Sequence, residues 1–290
     1  MPCSPSNEQE QPPLFLETTI QIERVVGLPE RKEAIKNRIA HRCLRTSTLV
    51  LREFKERLLH KCILLLELVL RYEHRADVET AISQMFSDTK ILLQLWAQVQ
   101  RETIGDGVYD VELVIETLKS YIEGGLEKRF CIPSVEVSND TSCEIAPKEV
   151  RIEHRFYVLN VYCNRREVNC NLPAFIERHK DAFEAMQRRI PNAKTKDERD
   201  ELSRIVIVYQ DAKNRNDFNR VKGQRNCNVL SDATIALEAR DAIIYTTDKD
   251  FEYICPVCNR RFIRETTTRY WDISRRVAWA CALLPCAAGF

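Results

Sequence analysis

Short apolar runs alternate along this chain with longer stretches in which apolar residues recur every three or four positions. The short runs, bounded by polar residues, predict buried strands, and the longer stretches predict helices with one apolar face. The predicted strands are Leu14 to Ile20, Cys43 to Thr46 and Ala242 to Thr246, and Phe156 to Cys163 fits either a strand or the edge of a helix. Both kinds of element are therefore expected.

Helices account for most of the predicted elements. The longest runs from Leu49 to about Arg75 on a regular apolar face, with Ser47 or Thr48 as its cap. The stretch 131–155, which contains two prolines, is predicted to be irregular. Further helices are predicted from Pro29, across residues 76–130 with a break at 105–107, from Leu172 to Gln187, from Glu198 to Asp211, and from a cap at Ser231.

The composition agrees with a helix-rich globular protein. Seven glycines in 290 residues disfavour the many tight turns of an all-β sandwich or barrel. The formal net charge of +1 is a cancellation, because residues 31–75 carry net +7, residues 76–154 net −8 and residues 155–229 net +6. A polyanion would be attracted to the two basic segments, although solvated helix faces explain the same pattern.

The sequence predicts a cytoplasmic protein with no membrane span. Residues 1–12 are predicted to be a disordered leader, because they lack the basic start and the apolar run of a secretory signal. The longest apolar stretches are too short to cross a bilayer. The twelve cysteines are expected to be reduced thiols rather than a disulfide framework.

Four acidic residues follow apolar runs or lie near predicted helix starts: Glu17, Glu53, Asp232 and Asp248. Strand ends and the helix starts that follow them meet at one edge of a parallel sheet. Carboxylates that converge there can bind a hard divalent cation, which activates water and stabilises displacement at a phosphodiester. Taken singly, each of the four is more simply explained as a surface acid or a helix-start charge.

Three segments, in the same order along the chain, resemble the PIN-domain family of metal-dependent ribonucleases. LFLETTIQIERVVG, from residue 14, is similar to the first strand of that family, which ends in an Asp-Thr-Asn or Asp-Thr-Ser type motif. TSTLVLREFKERLL, from residue 46, resembles the second motif, a helix led by Ser or Thr that carries a Glu. SDATIALEARDAIIYTTDKDF, from residue 231, is similar to the closing helix, strand and acidic loop.

The resemblance implies a three-layer α/β/α fold with a central, mostly parallel sheet, and one or two Mg²⁺ or Mn²⁺ ions for cleavage of single-stranded RNA. Position 17 is Glu where the family has Asp, so this carboxylate lies one methylene further from its strand. The implied catalytic and metal-binding acids are Glu17, Glu53, Asp232 and Asp248, with Asp250 as an auxiliary metal ligand and Thr18, Thr19 and Thr246 as supporting hydroxyls.

Four basic residues near these acids in the sequence are candidates for contacts with RNA phosphates. They are Arg24, Arg52, Lys55 and Lys249. The alternative is that each is an exposed basic residue without a ligand. No basic module interleaved with aromatic residues indicates which bases would be read.

The long separation of Glu53 from Asp232 predicts a split catalytic domain with an insertion. We expect a PIN-like domain at 13–75 and 155–255, an acidic helical insertion or lid at 76–154, and a tail at 256–290 whose role is open. The pair Cys255 and Cys258 has half the spacing of a zinc knuckle, but no second pair completes it. Structural zinc is therefore not favoured.

Three hypotheses follow. The first is a metal-dependent endoribonuclease, toxin-like or defence-related, with a protein inhibitor of the antitoxin type or a second copy as partner. The second is a catalytically degenerate relative that binds RNA or a protein without cleavage. The third is a zinc-stabilised interaction protein.

Overall fold

Five parallel strands form the central sheet of the protein, in the order β3–β2–β1–β6–β7. A computed structural model describes residues 11–72, 74–85, 89–104, 109–131, 135–143, 150–153, 156–159 and 169–265. The sheet strands are β1 (Leu14–Leu16), β2 (Leu44–Ser47), β3 (Val135–Ser138), β6 (Ile243–Thr246) and β7 (Phe262–Arg264), while β4 (Val150–Glu153) and β5 (Phe156–Leu159) pair separately as an antiparallel hairpin.

Helices make up most of the remaining described chain. Within the described ranges, no helix has both the length and the apolar content that crossing a bilayer requires. The helices are α1 (Thr18–Val26), α2 (Pro29–Ile39), α3 (Thr48–Arg71), α4 (Arg75–Ser83), α5 (Thr89–Thr103), α6 (Val111–Ser120), α7 (Leu126–Phe130), α8 (Leu172–Arg178), α9 (Lys180–Arg189), α10 (Lys196–Asn214), α11 (Gln224–Glu238) and α12 (Phe251–Val257).

The predicted α/β/α arrangement is confirmed, and β1 shows why the sheet lies between two helical layers. Side chains alternate across a strand. Phe15 therefore packs in the larger core cluster, whereas Leu14 and Leu16 pack in a second cluster with Ile35 of α2. All three β1 side chains are buried. Strands buried on both faces are typical of parallel sheets covered by helices.

The long helix α3 connects the sheet with the helices of residues 76–130. Its predicted cap is Ser47, whose hydroxyl accepts a hydrogen bond from the Val50 N–H at 3.4 Å. Phe54 of α3 packs on Phe130 of α7 with ring centroids 5.0 Å apart. The larger core cluster also includes α5 residues such as Trp96, so these helices share one core with the sheet.

Two strands of the sheet come from segments that the sequence interpretation assigned elsewhere. β3 lies in the stretch predicted to be irregular, inside the proposed insertion 76–154, and pairs with β2 from Leu44 to Ser47. β7 lies in the proposed tail 256–290 and pairs with β6. Both are short edge strands defined by backbone pairing rather than by a long apolar run. The insertion and tail boundaries therefore move to exclude them.

Two element boundaries and the pairing of one strand also differ from the sequence interpretation. β1 ends at Leu16 rather than Ile20, because Glu17 caps the helix that follows. α11 begins at Gln224, after Gly223 with its φ of +105°, so Ser231 is an internal residue rather than a cap. β5 pairs with β4, outside the central sheet. Most of the leader, the break at 105–107, the chain from 160 to 168 and residues 266–290 lie outside the described residues.

Candidate metal centre and cleft

Glu17 lies where β1 ends, at the carboxyl edge of the sheet. Its Oε2 atom caps α1 by accepting a hydrogen bond from the Thr19 N–H at 2.9 Å, and it also accepts one from the Thr246 hydroxyl at 2.9 Å. The Thr19 hydroxyl donates to the same oxygen. Burial, partly offset by the Thr19 hydrogen bonds, raises the pKa of Glu17 to about 7. Glu17 is therefore partly protonated at neutral pH when no cation is bound.

The supporting hydroxyls link three strand ends. The Thr18 hydroxyl donates to Glu53 Oε2 at 2.6 Å, across 35 residues of sequence. The Asp248 N–H donates to the Thr246 hydroxyl oxygen at 2.8 Å, and the Asp250 N–H donates to Asp248 Oδ1 at 3.0 Å. These contacts fix the orientation of the carboxylates before any ligand binds.

A second group of acids combines two residues named from the sequence with one that was not. One carboxylate oxygen each from Glu201, Asp232 and Asp250 lies within 4.8 Å of the others. Glu201 Oε2 accepts a hydrogen bond from Arg204 at 2.6 Å. Glu201 Oε1 is buried and has no hydrogen-bond partner among the described residues. A buried acceptor without a partner is costly, and a divalent cation would satisfy it.

The two groups of acids are close enough for the charges of one to raise the pKa values of the other. Burial, followed by the charges of Glu53 and Asp248, raises the pKa of Asp232 well above its ordinary value. Burial and then the Glu201 and Asp248 carboxylates raise the pKa of Asp250 to about 6. Like charges held this close disfavour ionisation. A bound cation would reverse that effect.

Four of the acids line a cleft of about 1120 Å³: Glu53, Asp232, Asp248 and Asp250. The buried Glu17 and Glu201 do not line it. Its other walls include side chains of α3, α10, α11 and the β5 end of the hairpin: Glu56, Arg57, His60, Lys61, Ile63, Glu67, Arg204, Gln224, Asn228 and Tyr157 to Leu159.

Two of the four basic residues proposed for phosphate contact instead hold the helices together. Arg24 donates to the carbonyl oxygens of Arg129 at 2.8 Å and Phe130 at 2.9 Å, and burial lowers its pKa to about 10. Lys55 forms an ion pair with Glu127 at 2.8 Å. Neither side chain lines the cleft.

The other two are also engaged within the fold. The buried Arg52 donates to Asn228 Oδ1 at 2.8 Å and lies 3.3 Å from the Cys227 sulfur. Lys249 pairs with Asp197 at 2.5 Å on the surface. Nearness in sequence was a poor guide here, because adjacent helical residues point about 100° apart.

Sequence reasoning missed three basic residues of α3 that line the cleft: Arg57, His60 and Lys61. They follow Glu53 by four, seven and eight positions, which places them on the same side of α3. This spacing from Glu53 could have identified the three residues from the sequence alone.

The sequence interpretation also missed Glu201, although the position of this residue in α10 could have indicated it. Leu202, Ile205 and Tyr209 form the buried stripe of this helix, and Glu201 precedes Ile205 and Tyr209 by four and eight positions. An acid on an apolar helix stripe is exceptional unless it is paired or binds a metal.

Seven cysteines of the described residues are thiols, and four of them are buried. Cys255 and Cys258 are free and buried, and burial raises the pKa of each to about 12. Within the described part of the chain, no third His, Cys, Asp or Glu lies close enough to share a metal with them. Cys43 is disulfide-bonded, an exception to the reduced thiols that the sequence predicted in place of a disulfide framework.

The chain matches no model of a protein family, no curated protein and no solved structure. The chemistry of the cleft therefore rests on its own residues and on the resemblance of the three segments.

Proposed function

We propose that this protein is a metal-dependent endoribonuclease that hydrolyses phosphodiester bonds of single-stranded RNA with Mg²⁺ or Mn²⁺. The observation that carries the proposal is the convergence of Glu201, Asp232 and Asp250 within 4.8 Å, with one buried Glu201 oxygen lacking a partner among the described residues. Asp250 follows the end of β6 by four residues, and the charge of Glu17, at the end of β1, contributes to the raised pKa of Asp232. Ligands bind at this edge of parallel α/β sheets.

The donor set fits a hard cation. All three ligands are carboxylate oxygens, which Mg²⁺ and Mn²⁺ prefer over softer cations. When bound, such a cation lowers the pKa of a coordinated water and neutralises charge on the phosphate. In this reading Glu53, Asp232, Asp248 and Asp250 provide the oxygens that face the cleft.

The hydroxyls around the acids have a positioning role. Thr18 holds one oxygen of Glu53, and Thr246 links Glu17 to the Asp248 backbone. Glu17 Oε2 is already occupied by hydrogen bonds, so its Oε1 is the oxygen left for a cation. Carboxylates oriented before binding reduce the cost of assembling a reactive geometry. We further propose a toxin-like or defence role in the cytoplasm, with a protein inhibitor or a second copy as partner.

A second candidate is a PIN-like protein that binds RNA or a protein partner without cleaving RNA. The observation that favours it is Glu17, which is 2% exposed, does not line the cleft and has a pKa of about 7. If this carboxyl stays protonated, the centre has one ligand fewer than the resemblance implies.

The deciding experiment is Asp232→Asn tested for Mn²⁺-dependent cleavage of single-stranded RNA. We expect a loss of about 100-fold or more, since the ligand charge is removed while the size is kept. Asp241→Asn is the matched control, because Asp241 is exposed at the opposite end of β6 and pairs with Arg45. Full cleavage by a folded Asp232→Asn protein would refute the acidic centre as the site of cleavage. RNA binding by the wild-type protein without any product would favour the second candidate.

A further inference from the structure

We infer that the end of the cleft away from the acids binds a nucleobase of the single strand that is cut at the acidic centre, an inference that rests on the proposed function. This end of the cleft, the base pocket, is lined by Ile63, Ile91, Tyr157, Val158 and Leu159. These side chains are apolar or aromatic, whereas carboxylates line the other end. Such walls suit the flat, uncharged face of a base rather than the phosphate backbone.

The place of the base pocket follows from one stripe of α3. Glu53, His60, Ile63 and Glu67 are separated by seven, three and four residues, so they lie on one side of this helix, and all four line the cleft. An α-helix rises 1.5 Å per residue, which places Ile63 about 15 Å beyond Glu53 along the axis. The base in the pocket therefore belongs to a different nucleotide from the one held at the acidic centre.

Tyr157 provides the ring on which the base stacks. It is half-buried, packs partly against the larger core cluster and also lines the cleft. Its hydroxyl donates a hydrogen bond at 2.6 Å to Glu123 Oε1, in the segment between α6 and α7. A ring that is already anchored at its hydroxyl loses little conformational freedom when a base packs on it. Tyrosine is one of the side chains on which proteins stack unpaired bases.

The acid beyond Ile63 keeps the backbone of the strand out of the base pocket. Glu67 is exposed and lines the same end of the cleft. A carboxylate repels a phosphate but not an uncharged base. The cleft volume of about 1120 Å³ also exceeds the usual size of a small-molecule pocket, as a segment of a polymer requires.

The base pocket gives a physical reason for the selection of single strands. The bases of a duplex are paired and stacked on one another, so their faces are not available to Tyr157. The unstacked bases of a single strand can turn out and stack on a protein ring. The ring should therefore contribute to the binding of single strands and not to the binding of duplexes.

The test measures binding without cleavage, by fluorescence anisotropy of labelled strands on the full chain in EDTA. The probes are a single-stranded oligoadenylate and a strand of equal length and charge whose sugars carry no bases. Stacking of one base on an aromatic side chain is worth about tenfold in affinity. Tyr157→Leu should therefore bind oligoadenylate about tenfold more weakly than wild type, and should bind the abasic strand as wild type does.

Three further variants separate the ring from packing. Tyr157→Phe keeps the ring without the hydroxyl and should remain close to wild type. Tyr253→Leu is the matched control, because Tyr253 is half-buried on α12 and does not line the cleft. Thermal melting shows whether Tyr157→Leu is folded. If it is not, Ile91→Asn, at a half-buried position of α5 in the base pocket, should cause the same selective loss.

The inference is overturned if wild type does not bind oligoadenylate, if it binds the abasic strand equally well, or if the folded pocket variants weaken both strands alike. An equal loss in Tyr253→Leu, or an equal loss for a duplex in Tyr157→Leu, would also overturn it. Cleavage with Mn²⁺, measured on the same preparations, tests the proposed function separately. A selective loss in a protein that cleaves no RNA would leave the base pocket standing and reject the nuclease. Cleavage without a selective loss would do the reverse.

Discussion

Buried carboxylates are concentrated around the carboxyl edge of the sheet, and the partners of several are hydroxyls rather than cations. Glu17 accepts from Thr19 and Thr246, and Glu53 accepts from Thr18. The resemblance named Thr18, Thr19 and Thr246 as supporting hydroxyls. No local pattern links Thr246 to Glu17, because 229 residues separate them.

Glu238, outside the acidic centre, gives a prediction for the pH dependence of stability. It is 3% exposed, and its oxygens have no well-formed hydrogen bond among the described residues, although the Ser47 and Thr141 side chains lie near. Burial raises its pKa from 4.5 to about 7. The folded state then binds more protons than the unfolded state between these values, so this group loses its contribution to stability as pH rises through about 7.

We expect Glu238→Gln to remove that loss, and to raise the free energy of unfolding at pH 8 relative to wild type by up to about 3 kcal/mol. Urea unfolding at pH 5 and pH 8 in EDTA measures it. Glu177→Gln, an exposed position on α8, serves as the control and should change little at either pH. Equal pH dependence in wild type and Glu238→Gln would show that Glu238 titrates normally.

At the scale of elements, helices were predicted better than strands. α3 and α10 lie close to their predicted positions because each has a regular apolar face and a capping residue, and α2 does so because Pro29 marks its start. β3 and β7 have three or four residues each, and their place is set by hydrogen bonds to β2 and β6. Such pairing leaves little trace in the strand's own residues.

The cap of α10 is a further prediction, because this helix carries Glu201. The Thr195 hydroxyl accepts a hydrogen bond from the Glu198 N–H at 3.1 Å. Thr195→Ala should lower the free energy of unfolding by about 1 kcal/mol. Thr195→Ser keeps the hydroxyl and should remain close to wild type. Chemical denaturation distinguishes the two, and equal loss in both variants would show that the methyl group rather than the cap matters.

For the whole molecule, the acids come from distant parts of the chain and meet only after folding. Glu53, Glu201, Asp232 and Asp250 lie on α3, α10, α11 and the loop before α12. A cation held by three of them therefore binds the folded state and has little affinity for the unfolded chain. Ligands of that kind stabilise by mass action.

We accordingly expect Mn²⁺ to raise the melting temperature of wild type, with a stabilisation of about 2.7 kcal/mol at a free concentration 100 times the dissociation constant. Glu201→Gln should lose most of this increment while melting near wild type in EDTA. Asp241→Asn should respond to Mn²⁺ as wild type does. An identical Mn²⁺ shift in Glu201→Gln would exclude Glu201 as a ligand.

The sequence by itself determined which segments become helices, where β1, β2 and β6 lie, and which acids follow the strand ends, because these depend on local periodicity, capping and chain order. Only the tertiary structure decided that β3 and β7 complete the sheet, that Glu201 joins Asp232 and Asp250, and that Arg57 rather than Lys55 faces the cleft. Those outcomes depend on backbone pairing and on the rotation of each helix about its axis. Both are fixed when distant segments pack together.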